Sequence, residues 1–199
     1  MARTGERLGI FGGTFDPPHI GHFVVAVNSL HALSLDRVLL VVSNVPWQKV
    51  GQRPVTPAED RLAMVAAGID DQVGLEASDL EIRLGGESST VVTLGHLRRL
   101  DPLGQIFLIV GADAAVGLHT WRRHEELADL ASLVIVERAG DDAAEIDWPG
   151  PVRRLRVPRI DVSSSEVRRR ISAGEPIDYL VPAGVASVVG ERLLYRGGP

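Results

Sequence analysis

Gly12-Gly13-Thr14-Phe15-Asp16-Pro17-Pro18-His19-Ile20-Gly21-His22 follows the apolar run Leu8-Gly9-Ile10-Phe11. It precedes residues 23–33, which repeat apolar side chains (Phe23, Val27, Leu30) at helical spacing. A strand, a glycine turn and a helix start therefore meet within one short stretch. Backbone N–H groups at a tight turn, continued by the N–H groups of a helix N-terminus, make an anion pocket. His19 and His22, three residues apart, share one face of the first helical turn and can point at one bound group. The plainer alternative is an ordinary strand-to-helix turn carrying two surface histidines. The mutual spacing of three glycines, two prolines and two histidines favours the pocket.

Outward from this stretch, residues 37–42 (Arg-Val-Leu-Leu-Val-Val) form a second, continuous apolar run. A continuous run implies burial on both faces, as in a parallel sheet. Residues 43–55 form a loop long enough to suggest function rather than mere connection. Thr56-Pro57-Ala58-Glu59 reads as a capping box with proline at the first helical position, opening a helix that stops at Gly68. Residues 73–84 alternate and predict one or two short strands. Residues 85–90 read as a turn whose hydroxyls cap a helix over 91–100. Residues 105–110 are a strand that runs straight into Gly111-Ala112-Asp113. A short helix over 123–130 and a strand over 132–137 follow, with Arg138 at the strand's C-terminal end. Strands are predicted at 152–157 and 160–162. Ser163-Ser164-Ser165-Glu166-Val167-Arg168 opens a helix to Ala173, and a last helix starts near Pro182-Ala183. Strands alternating with helices predict an α/β fold with an open parallel sheet, in one domain over residues 1–199. Ligands in such sheets bind beyond the strands' C-terminal ends. Four unusual segments fall there: residues 12–22, 44–49, 111–113 and 163–168.

Composition narrows the chemistry. The 199 residues include no cysteine, which excludes disulfides, thiolate metal sites and a cysteine nucleophile. The net charge of −5 is the opposite of a general nucleic-acid binder's. No stretch reaches the roughly 20 apolar residues of a membrane span, and the polar first residues do not read as a secretion signal. A cytoplasmic protein is expected, without nucleic acid or membrane as partner. No Gly-x-Gly-x-x-Gly follows the first strand, and no P-loop motif occurs.

Ser163 or Ser164 can N-cap its helix, with Arg168 about one turn in. Hydroxyls, helix N–H groups and one guanidinium form a phosphate site by geometry. A well-capped basic helix is the alternative, since Arg169 and Arg170 follow. The histidines can also be half of a metal site. However, His96, His119 and His124 are scattered on polar segments, and donation to phosphate oxygens fits better.

Residues 12–22, together with Ile160-Asp161-Val162-Ser163-Ser164-Ser165-Glu166-Val167-Arg168, resemble the HxGH nucleotidyltransferase superfamily. Within it, the chain is similar to bacterial nicotinate mononucleotide adenylyltransferases. Glu59-Asp60-Arg61-x-x-Met64, Ser89-Thr90, Gly111-Ala112-Asp113, Leu118-x-x-Trp121 and Glu137-Arg138 extend the likeness over nearly the whole chain. The resemblance implies a Rossmann-like open parallel sheet with helices on both faces. It implies transfer of AMP from ATP to nicotinate mononucleotide, with Mg²⁺ held by phosphates and water, no covalent intermediate and pyrophosphate as leaving group. By the same resemblance His19, His22 and Arg168 are catalytic. Gly12, Gly13, Thr14, Phe15, Gly111, Asp113, Ser164 and Ser165 bind ATP. Asn44, Val45, Lys49, Thr90, Trp121 and Arg138 bind the mononucleotide, with Trp121 stacking on the pyridine ring. The chain departs from the family at Pro46-Trp47-Gln48-Lys49, where a histidine is usual at position 48; Trp47 can serve as a lid. Pantetheine-phosphate adenylyltransferase on the same fold, or a non-catalytic nucleotide-sensing module, are the alternatives. The sequence leaves the oligomeric state open, a homo-oligomer included.

Overall fold

Each apolar run becomes a strand whose side chains alternate between two helical layers. In the computed structural model, which describes residues 5–46, 54–138 and 146–197, the strands are β1 (Arg7–Gly13), β2 (Arg37–Val42), β3 (Leu75–Ser78), β4 (Gln105–Gly111), β5 (Ser132–Arg138) and β6 (Val152–Val157). The helices are α1 (Ile20–Ala32), α2 (Ala58–Ile69), α3 (Leu80–Leu84), α4 (Thr90–Leu100), α5 (Ala112–Val116), α6 (Leu127–Leu130), α7 (Ser164–Ser172) and α8 (Ala183–Glu191). The strands form one six-stranded sheet in the order β3-β2-β1-β4-β5-β6, and every pairing is parallel. This is the doubly wound, Rossmann-like order.

Two apolar clusters cover the faces. Val38, Leu40 and Val42 of β2 join Phe107 and Ile109 of β4 in one, with Phe23, Met64, Val167 and Val185 from the helices. Leu39 and Val41 join Ile106, Leu108 and Val110 in the other, with Leu94 and Leu127. The period-2 alternation of strand side chains explains why these strands need apolar residues at every position.

The order changes direction between β1 and β4, and there the sheet splays. β1 stays paired to β2 as far as Gly13 opposite Val42. Its pairing with β4 ends at Ile10 opposite Leu108. The C-terminal ends of the two central strands thus part at the topological switch point, where ligands of open α/β sheets bind.

Several local expectations are corrected. Helix α2 starts at Ala58, with Pro57 as its N-cap and no side-chain cap. Thr56 is engaged elsewhere: its carbonyl accepts Arg61 Nε at 2.7 Å and its hydroxyl faces Tyr195. Gly68 lies inside α2, which continues to Ile69, because a Cβ there would sit 2.3 Å from the Phe23 ring and 2.9 Å from Val185. After β3, the alternating Leu-Glu-Ile-Arg-Leu segment forms α3, not a strand. It opens on Asp79, which pairs with Arg83 at 3.1 Å across one helical turn. Arg123 adopts φ +53°, so it cannot begin a helix; a 3₁₀ turn (His124–Glu126) precedes α6. Ser89 is the N-cap of α4 but makes no side-chain cap bond. Residues 160–162 are not a strand, because Pro158 ends β6 without an N–H to extend the ladder.

Helices α2 and α8 approach so closely that a Cβ on Gly184 would lie 2.1 Å from the Ala67 carbonyl oxygen. A backbone neighbour cannot rotate away. Gly184→Ala is expected to cost about 2 kcal/mol through overpacking, seen in a thermal melt as a midpoint lowered by about 4–8 °C.

Candidate active site

A cavity of about 340 Å³ fills the splay between β1 and β4, a size typical of small-ligand sites. Gly12, Gly13, Thr14 and His22 line it from the β1 side, Gly111 and Ala114 from the β4 side, and Ser88, Ser89, Thr90 and Trp121 close it. The glycines divide the work. A Cβ on Gly12 or Gly111 would meet nothing within 4 Å, so these two positions keep the floor open. A Cβ on Gly13 would lie 2.8 Å from the Phe15 ring. Gly13 is therefore the seat on which Phe15 packs. Phe15 itself is 2% exposed and adopts φ +50°, a left-handed conformation that bulky residues avoid. Its side chain serves the core and the histidines rather than the cavity.

The histidines form a close, tilted pair, with 37° between the ring planes. His19 is the N-cap of α1; its ring centroid lies 3.8 Å from that of His22. The edge of Phe15 meets the His22 ring at 5.1 Å. Gly21 lies against the pair: a Cβ there would touch the His19 ring at 3.2 Å. The backbone N–H of His19 donates to His22 Nδ1 at 3.0 Å. With Nδ1 as acceptor, neutral His22 carries its ring proton on Nε2. Its tautomer and orientation are thus fixed by the helix start itself.

Helix α7 docks its N-terminus against the same loop. The Ser163 hydroxyl caps it, accepting the Glu166 N–H at 3.1 Å. The Ser164 hydroxyl donates to the Pro17 carbonyl at 2.8 Å. Arg168 donates to the Asp16 carbonyl at 2.7 Å and to the Ser165 hydroxyl at 3.1 Å. Arg169 and Arg170 turn away to Glu166, Arg169 also to Glu175. Hydrogen bonds from Arg169, then Arg170, hold the Glu166 carboxyl down to about 2. The three consecutive arginines are thereby sorted: one faces the glycine-histidine loop and two neutralise carboxylates.

The acceptor-side residues are less uniformly gathered. Thr90 and Trp121 line the cavity, and Trp121 also packs on the core beside Leu118 and Leu127. The Asn44 side chain turns to the Gly86 carbonyl at 2.8 Å, and the Val45 carbonyl accepts the Ser88 N–H at 3.0 Å. Asp113 is exposed in the first turn of α5. Trp47, Gln48 and Lys49 lie outside the described residues, as does the side chain of Arg138.

Sequence reading missed several parts of the site. Ser88 and Ser89 line the cavity with buried hydroxyls that find no partner among the described residues. Glu81 lines it too, accepting the Thr93 hydroxyl at 2.7 Å. Above all, Arg61 is 1% exposed and donates to the carbonyls of Thr56, Thr14 and Asn44 at 2.7, 2.8 and 3.0 Å. One buried guanidinium thus ties the glycine-histidine loop to the loop after β2. The signal was present: Arg61 occupies the apolar stripe of α2 with Ala58, Met64, Val65 and Ile69, where a charge needs a reason.

A doubly wound parallel sheet, cleft at its switch point and met there by two helix N-termini and a histidine pair, defines a nucleotide-binding α/β protein. Comparison with known proteins narrows the class. Residues 10–170 match the family described as cytidylyltransferase-like. Relatives curated as "Probable nicotinate-nucleotide adenylyltransferase" include one from Streptomyces coelicolor, 41% identical over 94% of this chain and 99% of its own. Another, from Thermus thermophilus, is 42% identical over 96% of this chain and 100% of its own. The chain belongs to the cytidylyltransferase-like family, among its nicotinate-nucleotide adenylyltransferase members. Solved structures share the fold at low identity. A Vibrio parahaemolyticus protein described as a "Putative Nicotinate-nucleotide Adenylyltransferase" has TM-score 0.70 at 22% identity, covering 97% of both chains. The Plasmodium falciparum nicotinic acid mononucleotide adenylyltransferase, solved with NaAD, has TM-score 0.77 at 18% identity, covering 96% of this chain and 97% of its own.

Arg61→Met keeps the bulk but strips three carbonyls of their donor. Unfolding in urea is expected to show a loss of about 3 kcal/mol or more, the cost of leaving buried acceptors unmet. Gly12→Ala and Gly13→Ala should separate: the first leaves the melting temperature near wild type while weakening ATP binding, and the second lowers it by displacing Phe15. Calorimetry of both variants checks this.

Proposed function

We propose that this chain transfers the adenylyl group of ATP to nicotinate mononucleotide, giving the deamido dinucleotide and pyrophosphate. The observation that carries the reading is the cleft between the splayed ends of β1 and β4, with His22 fixed at its wall in a chain 41–42% identical to proteins of that name. A 5′-phosphate oxygen of the mononucleotide attacks the α-phosphorus of ATP. One P–O bond forms, the bond to the bridging oxygen breaks, and its electron pair leaves with pyrophosphate. No side-chain nucleophile takes part; catalysis is positioning and charge stabilisation.

His22 Nε2–H donates to oxygens of the α-phosphate, with His19 close behind it and the start of α1 adding partial positive charge. Gly12, Gly13 and Thr14 line the phosphate path. The first-turn N–H groups of Ser164 and Ser165, beyond reach of any intrahelical carbonyl, hold the β,γ end with Arg168. Gly111 and Asp113 meet the ribose. Trp121 stacks on the pyridine ring, and Thr90 with the backbone of Asn44 and Val45 meets its carboxylate. Lys49 and Arg138 neutralise the acceptor phosphate. Among the described residues no group of three or more His, Asp or Glu side chains is arranged to hold a metal. Mg²⁺ would enter as MgATP, held by phosphate oxygens and water. No helix among the described residues is long and apolar enough to cross a membrane.

With ATP, Mg²⁺ and nicotinate mononucleotide, the protein should release pyrophosphate and form dinucleotide, faster than with nicotinamide mononucleotide. Product from phosphopantetheine alone would assign the pantetheine reaction instead. ATP binding without product from any acceptor would mean a sensing module. His22→Ala should lower kcat by a factor of about 10² or more, with a smaller effect on ATP binding.

A further inference from the structure

Behind the glycine-histidine loop lies a set of hydrogen bonds that the transfer reaction does not use. Asp16 is 1% exposed. Its carboxylate Oδ1 accepts the Tyr195 hydroxyl at 2.7 Å, across 179 positions of sequence. Its carbonyl is the acceptor for Arg168, and the next carbonyl, of Pro17, is the acceptor for Ser164. Tyr195 also approaches Met64 Sδ at 3.9 Å and the Thr56 hydroxyl, and the Thr56 carbonyl is held by Arg61. A polar chain therefore runs from the C-terminal segment through Asp16 to the histidine turn, and through Thr56 and Arg61 to Thr14 and Asn44.

Two observations mark Tyr195 as more than core filling. The segment that delivers it is strained: Leu193 and Tyr195 have φ of +54° and +59°, left-handed values that side chains of this size avoid unless their surroundings enforce them. In addition, burial pushes the phenol's ionisation up; the Thr56 hydrogen bond opposes this, the adjacent Asp16 carboxylate adds to it, and Arg168 opposes it least. The hydroxyl therefore remains a donor at any working pH, and its geometry directs it to Asp16.

We propose that Tyr195 is a positioning residue for the phosphate cleft: by holding the Asp16 carboxylate it sets the turn that presents His19 and His22 and receives Arg168. The role rests on the adenylyl-transfer reading. Asp16 stands three residues before His19. The Asp16 carbonyl that Arg168 grips belongs to the same residue that Tyr195 fixes by its side chain, so a shift of Asp16 moves both halves of the cleft together.

Tyr195→Phe removes only the hydroxyl. It is expected to lower kcat on the order of tenfold by misplacing the phosphate donors, while the KM for the mononucleotide stays within about twofold. The ring signals of His19 and His22 in ¹⁵N-histidine spectra should shift. Those of His96, distant in α4, should not. In a double-mutant cycle with Asp16→Ala, which removes the acceptor, the Tyr195→Phe effect should shrink, because the two act through one contact. Unchanged kcat with unmoved His19 and His22 signals, or strictly additive effects in the cycle, would overturn the role and leave Tyr195 as core. Should wild-type protein make no dinucleotide, the functional reading fails, yet the histidine spectra still decide whether Tyr195 positions the pair.

Discussion

The unequal pairing of β1 governs this molecule. The strand is zipped to β2 up to Gly13 but released from β4 after Ile10. A fully paired ladder would close the space that the cavity occupies. The segments that part are Phe11-Gly12-Gly13 on one strand and Ile109-Val110-Gly111 on the other, and a Cβ on Gly12 or Gly111 would meet nothing within 4 Å. Open sheets place ligands at such a point because neighbouring connections leave to opposite faces. Here the N-termini of α1 and α7 both lie against the glycine-histidine loop and bring partial positive charge to it in a chain of net charge −5. The proposed anion site is thus a local arrangement within an acidic protein.

Much of this is legible in the sequence. Continuous apolar runs at residues 37–42 and 105–110 announce strands buried on both faces, and these became β2 and β4 in a fully parallel sheet. The glycine-histidine string announces a strand-turn-helix junction, found with His19 as N-cap. Short segments were less legible. Residues 80–84 alternate like a strand, yet one helical turn with Leu80 inward satisfies the same pattern. Thr56 has the chemistry of a cap, but tertiary partners claim it. Residues 160–162 look strand-like, and only the proline after β6 denies them a ladder.

The parts of the site that sequence did not yield are those made by long-range contacts. Arg61 was visible as a motif letter, but its three carbonyl partners belong to loops 47, 17 and 5 positions away. The serine-arginine start of α7 reads in the sequence as a phosphate site, one wall of the cleft. The structure adds that Ser164 and Arg168 grip the backbone of the opposite wall. The two walls are therefore one piece, tied across the turn by Ser164 and Arg168 and from behind by the buried Arg61, so that groups on rigid elements support those at the surface.

The contact between Tyr195 and Asp16 also bears on how the chain folds. The glycine-histidine loop is held by partners far along the chain: Ser164, Arg168 and Tyr195 contact it across 147, 152 and 179 positions. Closing a loop of this span is slow compared with forming local helices. Local helices can therefore form before these contacts close. A chain cut between residues 157 and 164 would keep every strand of the sheet yet lack all three donors that hold the Asp16–Pro17 turn.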